Sequence, residues 1–249
     1  MADELQILKN RFKELSNRSQ NRNIYTYSDF LNMHEQTLLH QEIKFGFTLY
    51  GGYEDAERKM LIYLPEYLDE SSLYEEDSPM VCLRATYFEA DTLSHRDFLG
   101  ALMGAGIARE TVGDICVGTG CCDFFVTAEI APYIQQNFLS AGRTRLHLNQ
   151  VSLSEARIPE PEIKEIKDTV ASLRLDSVVS SGFRIGRSLA AQYISAGKAA
   201  IDGLPCEKPD KSVAEGMKIS IRGLGKIKLA SINGKTKKDR ISVVIHRYV

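Results

Sequence analysis

Residues 173–203 read LRLDSVVSSGFRIGRSLAAQYISAGKAAIDG, and the punctuation of this stretch decides the fold of the last third of the chain. Leu175, Val178 and Val179 share one face at helical spacing and predict a first helix starting over Leu173–Asp176. Asp176 in its first turn suits the helix dipole and Arg174 does not. Gly182 is the expected stop. Phe183–Ser188 is the connection, and Ser188 is the expected N-cap of a second helix over Leu189–Ala196, which buries Leu189, Tyr193 and Ile194 and stops at Gly197. Asp202-Gly203 is the turn of a hairpin between Lys198–Ile201 and Leu204–Cys206. Beyond it, Met217–Arg222, Lys226–Ile232 and Ile241–Tyr248 read as strands, with a bend at Gly223 and Gly225 and a basic turn over Lys235–Arg240. Residues 171–249 are therefore an α+β module.

The module is basic inside an acidic chain. From Val170 to Val249 there are 15 Lys and Arg against 6 Asp and Glu, a net +9, whereas the 249-residue chain holds 31 basic and 33 acidic residues; residues 1–169 carry −11. Such an excess is an electrostatic footprint for a polyanion, most often nucleic acid, and charge alone is equally compatible with a solvated basic surface.

Upstream, residues 156–170 hold Pro159 and Pro161 among alternating charges and read as a linker leading into a short helix. Residues 76–155 alternate strands and helices. Met80–Phe88 is β-rich, and Ser94 or His95 begins a helix carrying Phe98, Leu99, Leu102 and Met103. Asp114–Val117 and Asp123–Ala128 flank a Gly118-Thr119-Gly120 turn, Glu129–Leu139 is helical, and Arg143–Leu153 alternates as a strand does. The order β-α-β-β-α-β predicts a small split-βαβ sheet of the ferredoxin-like or RNA-recognition-motif-like kind, which speaks to fold alone. Residues 1–75 read as mostly helical: Leu5, Leu8, Phe12 and Leu15 mark one helix, and Ser28 or Asp29 caps a second through Phe30, Leu31, Met33 and Leu38. Acidic Asp69–Asp77 before Pro79 is the expected boundary. The fold class is α+β.

Hydrophobic content of 43 % and charged content of 26 % are those of a globular protein. No apolar run approaches the ~20 residues of a membrane span, and the charged N-terminus has no signal-peptide core, so a cytoplasmic location with no membrane partner is expected. Cys82, Cys116, Cys121, Cys122 and Cys206 form no CxxC pair and no Cys/His metal spacing; reduced, mostly buried thiols are expected, with no metal and no cofactor.

The basic module resembles the RNA-binding domain named for small-subunit ribosomal protein four, the S-four domain. The residues that carry the likeness are R-L-D at 174–176, F-R-I-G-R-S at 183–188, A-A-Q-Y-I-S-A-G-K at 190–198, I-D-G at 201–203 and V-A-E-G-M-K-I-S-I-R-G at 213–223. Gly186 departs from the Ser common before that arginine. The resemblance implies that Arg174, Arg184, Arg187, Ser188, Gln192, Lys198, Arg222, Lys237 and Lys238 contact RNA. Arginine suits phosphate because it donates a bidentate fork, and folded RNA is read mainly by shape and charge. From about residue 45 to its C-terminus the chain resembles the YlmH family of bacterial RNA-binding proteins, through G-G-Y-E-D-A-E-R-K at 51–59, L-P-E-Y at 64–67, H-R-D-F-L-G-A-L-M-G-A-G-I-A-R-E-T-V-G-D-I at 95–115 and G-R-T-R at 142–145, while residues 1–44 match only in helical character. That likeness implies association with ribosomal RNA of the large ribosomal subunit, together with tRNA on stalled, peptidyl-tRNA-bearing subunits, and genes near those for cell division.

His95-Arg96-Asp97 matches the start of a kinase catalytic loop, but Leu102 stands where that loop needs Asn; the triplet reads as a helix start, with His95 and Arg96 as additional candidate contacts. Gly118-x-Gly120 lacks the third Gly of a dinucleotide site. Arg109, Arg143 and Arg145 either extend a basic surface or pair with nearby acids. No catalytic residue is expected. The leading reading is a non-enzymatic RNA-binding adaptor in translation, with a protein partner for residues 1–155, whose acidity disfavours an RNA-coating surface. The rivals are an RNA-modifying enzyme, pseudouridine synthase-like or methyltransferase-like, and a cell-division-linked scaffold.

Overall fold

The computed structural model describes residues 2–43, 46–68, 78–236 and 239–248, in two units, 1–159 and 160–249. The acidic stretch Asp69–Asp77, the side chain of Leu5, and the candidate contacts Lys237 and Lys238 lie outside the described residues.

The first unit opens with helix α1 (Ala2–Arg22), which turns Leu8, Phe12 and Leu15 inward. The next segment is not the expected helix. Thr26–Leu31 is strand β1, and helix α2 (Met33–Glu42) starts later, capped by Asn32 and not by Ser28 or Asp29. Thr26, Tyr27 and Phe30 are strand-forming types, and β1 pairs antiparallel with β3 (Lys59–Tyr63), where the Ser28 hydroxyl accepts the Leu61 N–H at 3.0 Å. Asn32 and Glu35 exchange reciprocal bonds with each other's backbone N–H, a capping box that fixes the helix start. With β2 (Thr48–Tyr50) on the far side of β3, the region expected to be helical is a three-stranded sheet with two helices.

The middle of the unit follows the expected order. Strand β4 (Met80–Thr86), helix α3 (His95–Gly104), strands β5 (Val112–Val117) and β6 (Cys121–Thr127), helix α4 (Ala131–Asn137), a small hairpin of β7 (Ser140–Ala141) and β8 (Thr144–Arg145), and strand β9 (His147–Val151) succeed one another. The sheet runs β5-β6-β4-β9, all antiparallel. Period-2 alternation gives it two apolar faces. Leu83, Ala85, Cys122, Phe124 and Val126 pack under Phe98 and Leu102 of α3 and Ala131 and Ile134 of α4. Met80, Cys82, Cys116 and Phe125 face the other way, onto Phe30, Tyr50, Met60 and Ile62 of the three-stranded sheet. The face that an RNA-recognition sheet would offer to bases is therefore covered by the chain's own N-terminal sheet.

In the second unit, strand β10 (Ile163–Val170) lies within the stretch expected to be a linker leading into a helix. It pairs with β15 (Ile241–Tyr248) over its whole length, with only Ile166 and Val170 buried. Because β10 is an edge strand, its remaining positions are free to carry charge, and that hid it among alternating Lys and Glu. Helices α5 (Leu175–Phe183) and α6 (Arg187–Ser195) precede strands β11 (Ala199–Ile201), β12 (Leu204–Pro205), β13 (Lys218–Ile221) and β14 (Gly225–Lys235); the antiparallel sheet runs β10-β15-β14-β13-β11-β12. Asp202 and Gly203 take φ 47° and 80°, the conformation of a two-residue hairpin turn.

Gly182 does not end α5. The helix runs on through Phe183 because Gly182 lets it sit on the sheet: a Cβ there would lie 2.7 Å from Ile227 Cδ1 and 3.2 Å from Ile245 Cγ2. In Gly182→Ala, overpacking of about 1–3 kcal/mol exceeds a gain in helix propensity of about 1 kcal/mol. A lower denaturant midpoint is expected, and an unchanged one would show that the contact relaxes freely.

Candidate nucleic-acid interface

Helix α5 begins at Leu175, with Arg174 as its N-cap residue, so Asp176 sits in the first turn, nearly buried at 5 % exposure. Two arginines converge on its carboxylate. Arg187 donates from Nε to Oδ2 at 3.0 Å and from Nη2 to Oδ1 at 3.3 Å. Arg174 donates from Nε to Oδ1 at 3.3 Å and from Nη2 to Oδ2 at 3.4 Å. Burial pushes the Asp176 carboxyl up, but the bonds from Arg187 and Arg174 outweigh it and hold the group below its ordinary value. The Arg174 that fits the helix dipole poorly is thus held by a buried anion, while both side chains remain about half exposed, at 42 % and 50 %. One buried carboxylate orients two cations toward solvent and leaves the cluster net positive.

Arg184 closes α5 in the left-handed region, φ 54° and ψ 45°, where helices commonly place Gly. For a non-Gly residue this conformation costs roughly 1–2 kcal/mol. Its N–H still caps the Ser181 carbonyl, and the Ile185 N–H reaches the Ser180 carbonyl at 3.1 Å. The exposed Arg184 side chain makes no ion pair among the described residues. Arg184 and Arg187 line a groove of about 290 Å³ with Arg240, Thr169, Ser177, Ser180 and Ser181. Arg240 is held there by Thr169, through Nε to Oγ1 at 2.9 Å and Nη2 to the backbone carbonyl. Asp168, which also lines the groove, accepts the Ser181 hydroxyl at 2.6 Å. Three guanidinium groups and several hydroxyls around one groove suit a phosphodiester backbone.

A second groove, about 410 Å³, is lined by Lys198, Arg222 and Lys226. The Arg222 N–H donates to the Lys198 carbonyl at 2.9 Å, and the Lys198 ammonium lies 5.0 Å from the centre of the Tyr193 ring. The candidates therefore fall into an Arg174–Arg187–Arg184 group and a Lys198–Arg222 group. Ser188 and Gln192 are exposed one turn apart on α6, outside both grooves. Ser188 is not the N-cap: α6 starts at Arg187 after Gly186, and Leu189, expected in the core, is 44 % exposed while Ala190 and Ile194 are buried. Ile194 and, in part, Tyr193 face the core as expected, and one turn before Ile194 it is Ala190 that packs there in place of Leu189. The sequence marks Arg240 only as part of the basic run Lys235, Lys237, Lys238 and Arg240, a contact or a solvated turn alike, and does not single out Lys226. Arg240 sits just before β15, whose pairing with β10 at Ile241–Val170 puts it beside Thr169, and no local pattern announces that.

In the first unit, His95 and Arg96 are exposed in the first turn of α3, where Ser94 and Asp97 cap the helix as expected for a helix start. Partial desolvation and then the Arg109 guanidinium disfavour the charged form of His95. Arg109 is partly buried and makes no ion pair among the described residues. It donates to the Val112 carbonyl at 2.5 Å, beside Arg58, which donates to Val112 and Phe30 carbonyls and whose pKa is lowered to about 10 by burial and then by Arg109. Arg143 and Arg145 are exposed on the β7–β8 hairpin. Cys82, Cys116 and Cys122 are buried, and burial raises their thiols, Cys82 and Cys116 to about 12, which suppresses thiolate reactivity. No helix among the described residues is long and apolar enough to cross a membrane.

A family model described as "Putative RNA-binding domain in YlmH" matches residues 83–155, the split-βαβ part of the first unit. Ribosome-associated protein quality control protein P2 of Bacillus subtilis (strain 168) is 35 % identical over 224 residues, covering 88 % of this chain and 86 % of that protein. The solved structure of cell division protein ylmH from Streptococcus pneumoniae superposes with a TM-score of 0.51 at 18 % identity, covering 63 % of this chain and 95 % of that one, a likeness of fold.

Proposed function

The chain belongs to the YlmH family, the family of the ribosome-associated quality control protein P2, and from that premise we propose that it is a non-enzymatic RNA-binding protein that docks on structured ribosomal RNA. Its target is the large ribosomal subunit, occupied by peptidyl-tRNA, and its role is in ribosome-associated quality control in the cytoplasm. The second unit is the principal RNA contact and acts as an S-four-type domain. The observation that carries this reading is the groove of Arg184, Arg187 and Arg240, with Arg174 and Arg187 oriented by buried Asp176. Covalent chemistry is not part of the proposal. Asp176, the acid of the R-L-D triplet, is engaged by two arginines, and Asp97 is engaged in capping α3, which supports binding over catalysis for both.

The test is sucrose-gradient sedimentation of the tagged full-length protein in cell lysate at low and then moderate salt. Co-migration with large subunits that weakens as salt rises is expected, because salt cations compete with Lys and Arg for the phosphates. Migration only at the top of the gradient at both salts would overturn the reading.

A further inference from the structure

The polar side of α1 is a cationic ridge on an acidic unit. Residues 1–159 carry 14 Lys and Arg against 23 Asp and Glu, yet residues 6–22 hold five cations and a single carboxylate, Glu14. Two of the five are committed, Lys9 to Glu42 at 2.6 Å and Arg11 to Asp29 at 2.7 Å. Lys13, Arg18 and Arg22 make no ion pair among the described residues, and all three are exposed. With Asn10, Glu14, Asn17 and Asn21 they line a groove of about 400 Å³ along the helix, three cations against one carboxylate. The apolar side of α1 is already buried through Phe12 and Leu15.

We propose that this ridge, Lys13, Arg18 and Arg22 interleaved with Asn10, Asn17 and Asn21, is a second RNA-binding surface that lies along the phosphodiester backbone of a double-helical RNA segment. The inference rests on the RNA-binding reading above and extends it to the first unit. Lys13 and Arg22 are nine residues, about two and a half turns, apart, so they stand on opposite flanks of the row Asn10, Asn17 and Asn21, and both line the same groove. Cations on both flanks of the groove can meet phosphates, and the carboxamides between them are suited to sugar and phosphate oxygens. A protein partner fits less well, because protein interfaces bury an apolar and aromatic core, and this groove has no apolar or aromatic side chain in its lining. A bilayer fits less well because the helix's apolar face is buried. The rest of the unit repels a polyanion, which confines its RNA contact to such islands.

The test is fluorescence anisotropy of the full chain with a labelled 20-base-pair RNA duplex across a salt series. In the triple variant Lys13→Gln, Arg18→Gln, Arg22→Gln, affinity should fall on the order of tenfold, and the log–log salt slope should shrink by about two to three. Gln is a good helix former, and an unchanged melt confirms that α1 is intact. The charge-preserving Arg18→Lys/Arg22→Lys variant should keep the wild-type slope, which separates charge from helix disruption. A triple variant with wild-type affinity and slope overturns the ridge and leaves the surface to a protein partner. If Arg184→Glu weakens binding in the same assay, the function reading survives that failure; a wild-type protein that binds neither this duplex nor ribosomal RNA overturns both.

Discussion

The Arg184→Glu/Arg187→Gln variant should bind structured RNA on the order of 10- to 100-fold more weakly at moderate salt, and its salt slope should fall by roughly two, one for each phosphate no longer neutralised. The choice of substitutions follows from the geometry. Arg184 makes no ion pair among the described residues, so its charge can be reversed without leaving a partner behind. Arg187 also holds buried Asp176. Glutamate at that position would set a second carboxylate against a nearly buried one and confound weakened binding with loss of fold, whereas the amide introduced by Arg187→Gln can still donate to Asp176. Titration of labelled ribosomal RNA over a salt series, beside a thermal melt, reads both effects. A variant that melts normally and keeps the wild-type slope would remove Arg184 and Arg187 from the interface.

The largest stability effect is expected in the first unit, at Arg84. Its guanidinium forks onto Asp123 at 2.7 and 2.6 Å, and Asp123 also accepts the Arg157 N–H at 2.6 Å; the Asp123 side chain is wholly buried and that of Arg84 is 16 % exposed. The pair lies on adjacent strands in register, Arg84 opposite Asp123. Arg84→Met keeps the volume but strands a carboxylate in the interior, which costs about 3–5 kcal/mol. For a unit of this size that lowers Tm by about 10 °C. Arg84→Met/Asp123→Leu should recover part of the loss, since removing both charges costs less than orphaning one, though the Arg157 N–H is then left without its acceptor. A single variant with wild-type Tm would show that water reaches Asp123 and that the pair is in effect a surface one. RNA binding by the second unit should not change in either variant.

How much of this was legible in sequence depended on how local the cause was. The β-α-β-β-α-β order, the Asp202-Gly203 turn and the Ser94–Asp97 helix start are set by neighbouring residues, through alternation, positive φ and capping, and each is found where its residues predict it. Strands β1 and β10 were misread because their partners are remote. Thr26–Leu31 pairs with Lys59–Tyr63, and Ile163–Val170 with Ile241–Tyr248. In β10 charges occupy half the positions, and in β1 the buried alternate positions include the polar Thr26 and Ser28, so neither shows an apolar alternation that declares a strand. Gly182 was misread as a stop because its reason for being Gly is a contact with Ile227 and Ile245, far along the chain.

The candidate site divides in the same way. Composition located the +9 charge, because charge is a property of residues wherever they lie, and the resemblance to the S-four domain pointed to Arg174, Arg184, Arg187, Lys198 and Arg222 within it. Tertiary structure alone decided which of those charges act together: that Arg174 and Arg187 share Asp176, that Arg240 joins Arg184 across β10 and β15, and that the N-terminal sheet covers the apolar face of β4–β6 which would otherwise lie open. Side-chain chemistry and turn preference are encoded within a few residues, whereas convergence of groups and occlusion of faces depend on strand register and on packing between segments remote in sequence.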